Sequence, residues 1–193
     1  MKIKILQSID ECSSKIWDSL FSTDYPFLKH AFISLLESSG SVCDRTGWTP
    51  KHILLEQDGV PVAAMPLYLK NHSSGEYVFD HSWANAYHQH GIQYYPKLVT
   101  AIPFTPVTGP RIGIADGINP DLIELVLLKN IKSLAKKWGA SSWHILFPRY
   151  RLLNGVFSQS LMKRVGVQYH WKNHNYSDFD DFTSTFASRK RKN

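Results

Sequence analysis

A chain of 193 residues that is 43% apolar and 20% charged can build one domain with a sizeable core, or one domain and part of another, and its composition excludes a disordered or fibrous protein. No run approaches the roughly twenty apolar residues that span a bilayer, the N-terminus lacks a secretory apolar stretch, and Cys12 and Cys43 show no CxxC spacing; the expectation is a soluble, cytoplasmic protein with free thiols. The net charge of +6 hints at nucleic acid, yet Arg189, Lys190, Arg191 and Lys192 carry four of those six charges, so the basic character is a terminal cluster that either grips phosphates or is the solvated end of a helix.

The chain opens with a strand in which Ile3 and Ile5 alternate with Lys2 and Lys4. A short helix is predicted over Glu11 to Phe21. A second helix has Pro26 at its first position, Phe27, Leu28, Ala31, Phe32, Leu35 and Leu36 as one apolar stripe, and Gly40 as its stop. His52 to Glu56 and Val60 to Lys70 read as a hairpin around Gln57-Asp58-Gly59, and Pro61 and Pro66 make its second strand bent, bulged or an edge. Phe104 to Ile112 reads as another extended segment.

Asn119-Pro120 caps and opens the longest helix, with Leu122, Leu125, Val126, Leu128, Ile131, Leu134, Ala135 and Trp138 facing the core and Gly139 ending it. Trp143 to Phe147 reads as a buried strand. A short helix around Ser158 to Arg164, an alternating strand at Val167 to Trp171 and a helix from Ser177 to Asn193, opened by Ser177-Asp178, complete the chain. This order predicts an α/β (α+β) domain with a mixed β-sheet flanked by helices.

One block, Gly75 to Arg111, follows neither period. It mixes Tyr77, Phe79, Trp83, Tyr87, Tyr94, Tyr95 and Phe104 with Glu76, Asp80, Lys97, Arg111 and several amide and imidazole groups. Loops that combine aromatic walls with convergent polar groups are where binding and catalysis usually sit. A carboxylate walled by aromatics has a raised pKa, which suits proton removal from an amine. Glu76 and Asp80 are therefore candidate bases, or ordinary strand-end and cap residues. Trp83, Tyr87, His90, Tyr94, Tyr95 and Lys97 are candidate substrate contacts, or packing. Thr108, Gly109 and Arg111 are candidate anion contacts, against the alternative of a proline-shaped strand end with Arg111 in a salt bridge. The histidines show no metal-ligand pattern, and no metal is expected.

The segments HAFISLLESSGSVCDRTGW, MPLYLKNHSSGEYVFDHSWANAYHQHG and YYPKLVTAIPFTPVTGPR, with the terminal QYHWKN, FDDF and SRKRKN, resemble the predicted N-acyltransferases of the FemAB-like branch of the GNAT superfamily, a family linked to peptidoglycan biosynthesis or recognition. The resemblance covers Pro26 to Asn193. It implies a GNAT-like mixed α/β fold that passes an acyl or aminoacyl group, from acyl-CoA or aminoacyl-tRNA, to an amine acceptor such as a peptidoglycan precursor. It also implies a first half, residues 1–176, followed by a basic helix over 177–193 that leads to a second half. One departure stands out. The usual GNAT pyrophosphate loop has two residues between Gln or Arg and the first Gly, whereas Arg111-Ile112-Gly113-Ile114-Ala115 has one. An alternative function, in a different class, is non-catalytic recognition of a cell-wall fragment or peptide.

Overall fold

The computed structural model describes residues 1–21 and 25–187. Two compact units divide the chain, Met1–Met162 and Lys163–Asn193. In the first, strand β1 (Lys2–Leu6) pairs antiparallel with β3 (His52–Gln57), which pairs with β4 (Val60–Met65), which pairs with β7 (Gly113–Ile114). A second four-stranded sheet runs β2 (Trp48–Pro50), β5 (Tyr68–Lys70), β6 (Lys97–Thr100) and β8 (Trp143–Ile145), the last pair parallel. The architecture is mixed α+β.

The long hairpin joins the sheets. Its turn is Asp58-Gly59, both at positive φ (53° and 82°), the geometry a tight two-residue loop requires. Each arm then breaks once and passes from one sheet to the other, at Lys51 and at Pro66-Leu67, where the Lys51 amide donates to the Leu67 carbonyl at 2.8 Å. The register also shifts between Leu55 and Glu56, where Glu56 faces Pro61; a residue without an N–H cannot continue the ladder.

Alternate residues of β3 and β4 serve two cores. Leu54 and Ala64 pack with Trp17, Leu20 and Phe21 of α1 (Ser14–Phe21) and Ile33 of α2 (His30–Ser38). Ile53, Leu55, Ala63 and Met65 pack with Ile123, Leu127 and Ile131 of α4 (Pro120–Lys137), the 18-residue helix. α3 (His81–Gln89) lies within the irregular block, and α5 (Phe157–Ser160) follows β8.

Several expectations are corrected. The second predicted helix is two pieces, a single turn at Pro26–Leu28 and α2, because Lys29 is extended and Asp18 accepts from the His30 amide at 2.7 Å to start a new helix. Leu35 is consequently exposed. α4 and its Asn119 cap are as expected, Asn119 accepting from the Asp121 amide at 2.9 Å. Ile131 is buried and Val126, Leu128, Leu134, Ala135 and Trp138 pack partly buried on the core as expected, but Ile123 and Leu127 make its fully buried centre while Leu122 and Leu125 are exposed. The helix carries apolar residues around most of its circumference, so only the sheet beneath it sets the phase. Phe104 to Ile112 forms no strand beyond a bridge between Gly109 and Pro148, and the helix at 158–164 is reduced to α5.

In the second unit, Val167–Trp171 forms no strand, and Val167 and Tyr169 are exposed. α6 (Phe179–Ser184) is capped by Asp178, which accepts from the Asp181 amide at 2.8 Å. Trp171, Tyr176, Phe182 and Phe186 make edge-on or tilted ring contacts around it. The basic cluster Arg189 to Lys192 lies outside the described residues.

Candidate active site

The irregular block is organised by one buried cation. Lys97 opens β6, and its ammonium donates to Ser73 Oγ at 2.9 Å, Glu76 Oε2 at 2.9 Å and Asp80 Oδ2 at 2.5 Å. The side chains of Lys97, Glu76 and Asp80 are all completely buried. Tyr94 donates its hydroxyl to Asp80 Oδ2 at 2.7 Å, and the Tyr95 hydroxyl bonds Ser73 Oγ at 2.6 Å. Lys70, the cross-strand partner of Lys97, is buried with its ammonium 3.8 Å from the Trp48 ring centroid and donates to the Ser74 carbonyl at 3.2 Å.

The electrostatics separate the two carboxylates. Burial raises the Glu76 pKa, and the Lys97 ammonium only partly offsets that. Burial also pushes Asp80 up, but hydrogen bonds from Lys97, Ser73 and Tyr94 outweigh it and hold the carboxyl down at about 2. The raised carboxylate anticipated in an aromatic environment is therefore Glu76 and not Asp80. Burial, with Lys97 nearby, lowers Lys70 to about 8. Burial and the Asp80 carboxylate raise Tyr94. In this conformation neither acid reaches solvent; what both hold is Lys97.

Outside this cluster lies a cleft of about 360 Å³ lined by Ser73, Ser74, Gly75, Tyr77, Val78, Phe79, His81 and Phe104. Along residues 76–80 the chain alternates, Glu76 and Asp80 inward, Tyr77 and Phe79 outward. Tyr77 and Phe104 both have left-handed backbone (φ 57° and 58°), conformations that cost non-glycine residues energy and concentrate at functional sites. Gly75, at φ 80°, lies so close to Phe104 that a Cβ would meet its ring at 2.6 Å.

The expected aromatic contacts are placed differently. Trp83 is exposed on α3. Tyr87 packs edge-on against Tyr94, with centroids 5.1 Å apart. His90 caps α3 and bonds the Ala86 carbonyl at 2.8 Å. These three, with Tyr94, Tyr95 and Lys97, do not line the aromatic cleft; Tyr94, Tyr95 and Lys97 instead meet around the buried carboxylates.

Thr108, Gly109 and Arg111 do not form an open anion cradle. Thr108 is exposed, and Gly109 is buried where a Cβ would meet the Tyr25 ring at 2.4 Å. The Arg111 guanidinium is buried and donates to three carbonyls, Leu146 at 2.7 Å, Pro110 at 2.8 Å and Val107 at 2.7 Å. Among the described residues it makes no salt bridge; its three bonds tie the segment after β6 to the end of β8. Next to it, a second cleft of about 450 Å³ opens beside the start of α4, lined in part by Asp116, Gly117, Arg149 and Arg151. Arg151 approaches Asp121 at 3.7 Å, which moderates the acidic start of the helix. Gly113 packs on the Phe21 ring, whereas a Cβ on Gly117 would meet open space. Gly117, beyond the predicted loop, is thus the open glycine that lines this cleft.

The family model that matches the chain covers residues 8–193 and is described as FemAB-like, peptidoglycan biosynthesis/recognition. The chain belongs to the FemAB-like family. No curated protein matches this FemAB-like chain. Among solved structures, it is similar to a ribosomal-protein-alanine N-acetyltransferase from Brucella melitensis biovar Abortus 2308, at 11% identity over 90% of this chain and 100% of that one, with a TM-score of 0.51. It is also similar to the aminoglycoside antibiotic 6'-N-acetyltransferase AAC(6')-Ih from Acinetobacter baumannii, at 14% identity over 89% and 97% of the two chains, with a TM-score of 0.48. The first likeness shows that the FemAB-like chain shares the fold of that N-acetyltransferase.

Arg149, Arg151, Ser73 and Lys70 were not selected from the sequence. The two arginines flank one residue after a strand end, a signal of a basic rim; Lys70 and Ser73 gain meaning only when β5 is set beside β6. Among the described residues of this FemAB-like chain, no helix is long and apolar enough to cross a membrane, and no three His, Cys, Asp or Glu side chains converge as a metal site.

Proposed function

We propose that this FemAB-like domain is an N-acyltransferase that moves an acyl group from an acyl-coenzyme A to a primary amine. The observation that carries the reading is the cleft at the start of α4. There the start of an 18-residue helix, whose end carries partial positive charge, lines one opening together with Arg149 and Arg151, an arrangement suited to a pyrophosphate. Asp116 opposes an anion there, and Arg151 beside Asp121 weakens a second opposing charge.

The aromatic cleft is the acceptor side of this proposal. Tyr77, Phe79 and Phe104 supply apolar walls, and His81, at the first position of α3, supplies an imidazole, the commonest general base in enzymes. The amine nitrogen bonds to the acyl carbon, the carbon–sulfur bond breaks, the base takes the amine proton and the thiolate leaves. Glu76 and Asp80 support this region from within. The family description makes a peptidoglycan-derived amine the acceptor to test first. An aminoacyl-tRNA donor is supported only by Arg189 to Lys192, outside the described residues.

A recognition role is favoured by one observation, the complete burial of both acids of the block. Calorimetry with acetyl-coenzyme A, followed by transfer of labelled acetyl to a lysine-containing peptidoglycan stem peptide, separates the readings. Saturable donor binding that falls at least ~10-fold in Arg149→Ala/Arg151→Ala, with label in the peptide, is the expected result. A folded protein that binds the peptide but neither binds nor transfers from the donor would overturn the transferase reading.

A further inference from the structure

The aromatic cleft has almost no regular structure of its own. Seven of its lining residues fall between Ser73 and His81, a stretch that belongs to no strand and reaches α3 only at its end. Before the start of α3, where the Trp83 and Ala84 amides donate to the Asp80 carbonyl at 3.0 Å, its backbone bonds are few: the Glu76 amide to the Ser73 carbonyl at 3.3 Å, and the Phe104 amide to the Gly75 carbonyl at 3.0 Å. Such a segment would ordinarily sample many conformations. It is instead tied at three points to one atom, the Lys97 ammonium, through Ser73, Glu76 and Asp80. Those three residues bracket the outward-facing Ser74, Tyr77 and Phe79. Asp80 also occupies the N-cap position of α3 without capping it, its carboxylate being turned to Lys97.

We propose that Lys97 is the positioning residue of the aromatic cleft, holding from behind the wall that meets the amine acceptor. The assignment rests on reading that cleft as the acceptor site. Lys97 touches no ligand: its side chain is fully buried, and it acts through Ser73, Glu76 and Asp80. Its position on β6, hydrogen-bonded between β5 and β8, gives the clamp a rigid base. Lys70, directly opposite on β5, adds a second tie through the Ser74 carbonyl. The ammonium thus transmits the geometry of the second sheet to the cleft.

The test combines hydrogen exchange with transfer kinetics on the full chain. Lys97→Met leaves two buried carboxylates uncompensated and risks unfolding. Glu76→Gln/Asp80→Asn/Lys97→Met therefore runs beside it, removing all three charges at nearly constant volume. Exchange at the amides of Glu76, Phe104 and α3 should quicken by at least ~10-fold in the folded variants, with β3 and α4 changed by less than about 2-fold. With acetyl-coenzyme A and the lysine-containing stem peptide, the peptide KM should rise at least ~10-fold while the donor KM stays within about 2-fold. Unchanged exchange in the wall of the triple variant, or donor and acceptor KM rising together, overturns the proposal. A wild-type chain that transfers nothing defeats the transferase reading, and the exchange measurement then decides the clamp by itself.

Discussion

Replacing Arg111 with Met tests whether this arginine is a structural tie or an anion contact. The guanidinium is buried and gives three short bonds to the carbonyls of Leu146, Pro110 and Val107. A hydrogen bond from a charged donor contributes about 1.5–3 kcal/mol. Burial depresses the Arg111 pKa, which shows that holding this charge in the interior costs part of that gain. Met fills similar space and removes the charge, but leaves three carbonyls without their donor. The net loss should be about 3–5 kcal/mol, a large share of a typical domain's 5–15 kcal/mol. Equilibrium urea unfolding, followed by tryptophan fluorescence, should show the midpoint falling by about 2 M for a slope near 2 kcal/mol/M, with the slope unchanged. Arg111→Lys should recover only part of this, because an ammonium on a flexible stem does not reproduce a planar fork. Wild-type stability in Arg111→Met, together with lost acetyl-coenzyme A binding, would refute this reasoning and return Arg111 to the donor site.

Asp80 predicts an acid limb. Its folded pKa is about 2 against an ordinary 3.8, so it stabilises the fold above its unfolded pKa. That contribution, about 2 kcal/mol, is lost as pH falls from about 4 to 2, and Asp80→Asn should flatten this part of a stability–pH profile. Glu76, raised by burial, works in the opposite sense as pH rises above the ordinary glutamate range, and Glu76→Gln should leave the acid limb in place. Gly75→Ala, which combines a positive φ with a Cβ 2.6 Å from the Phe104 ring, should cost about 2 kcal/mol or more and displace Phe104; thermal unfolding and the Phe104 ring resonances report both. On α4, Leu127→Ala should cost about 2–5 kcal/mol, whereas Leu125→Lys should stay within about 0.5 kcal/mol. Equal losses for the two in denaturant unfolding would place the helix in a different phase.

What the sequence alone determined was local chemistry. Asn119-Pro120 and Gly139 bound the long helix because capping and termination depend on neighbouring residues. Asp58-Gly59 set the hairpin because few residue pairs tolerate two positive φ angles. Pro61 and Pro66 announced the shift and the break because each lacks a donor. The irregular block was marked as a candidate site because its aromatic and charged residues match no period, and family membership was legible in its long motifs.

Only the tertiary structure decided which side of each element is inside and which charges meet. The phase of α4 depends on the sheet it covers, and a helix apolar over most of its surface does not encode that choice. The alternating residues at 167–171 found no ladder partner, since an alternating pattern supplies a face for a strand but not a neighbour. A sequence offers Arg111 an anion contact or a salt bridge because it does not show three carbonyls converging from Val107, Pro110 and Leu146. Glu76, Asp80 and Lys97, candidates for direct contact with substrate, became one buried cluster because β6 brings Lys97 behind a loop that begins some twenty residues earlier. Charges attract and desolvate according to distance and burial, and both are properties of the folded chain.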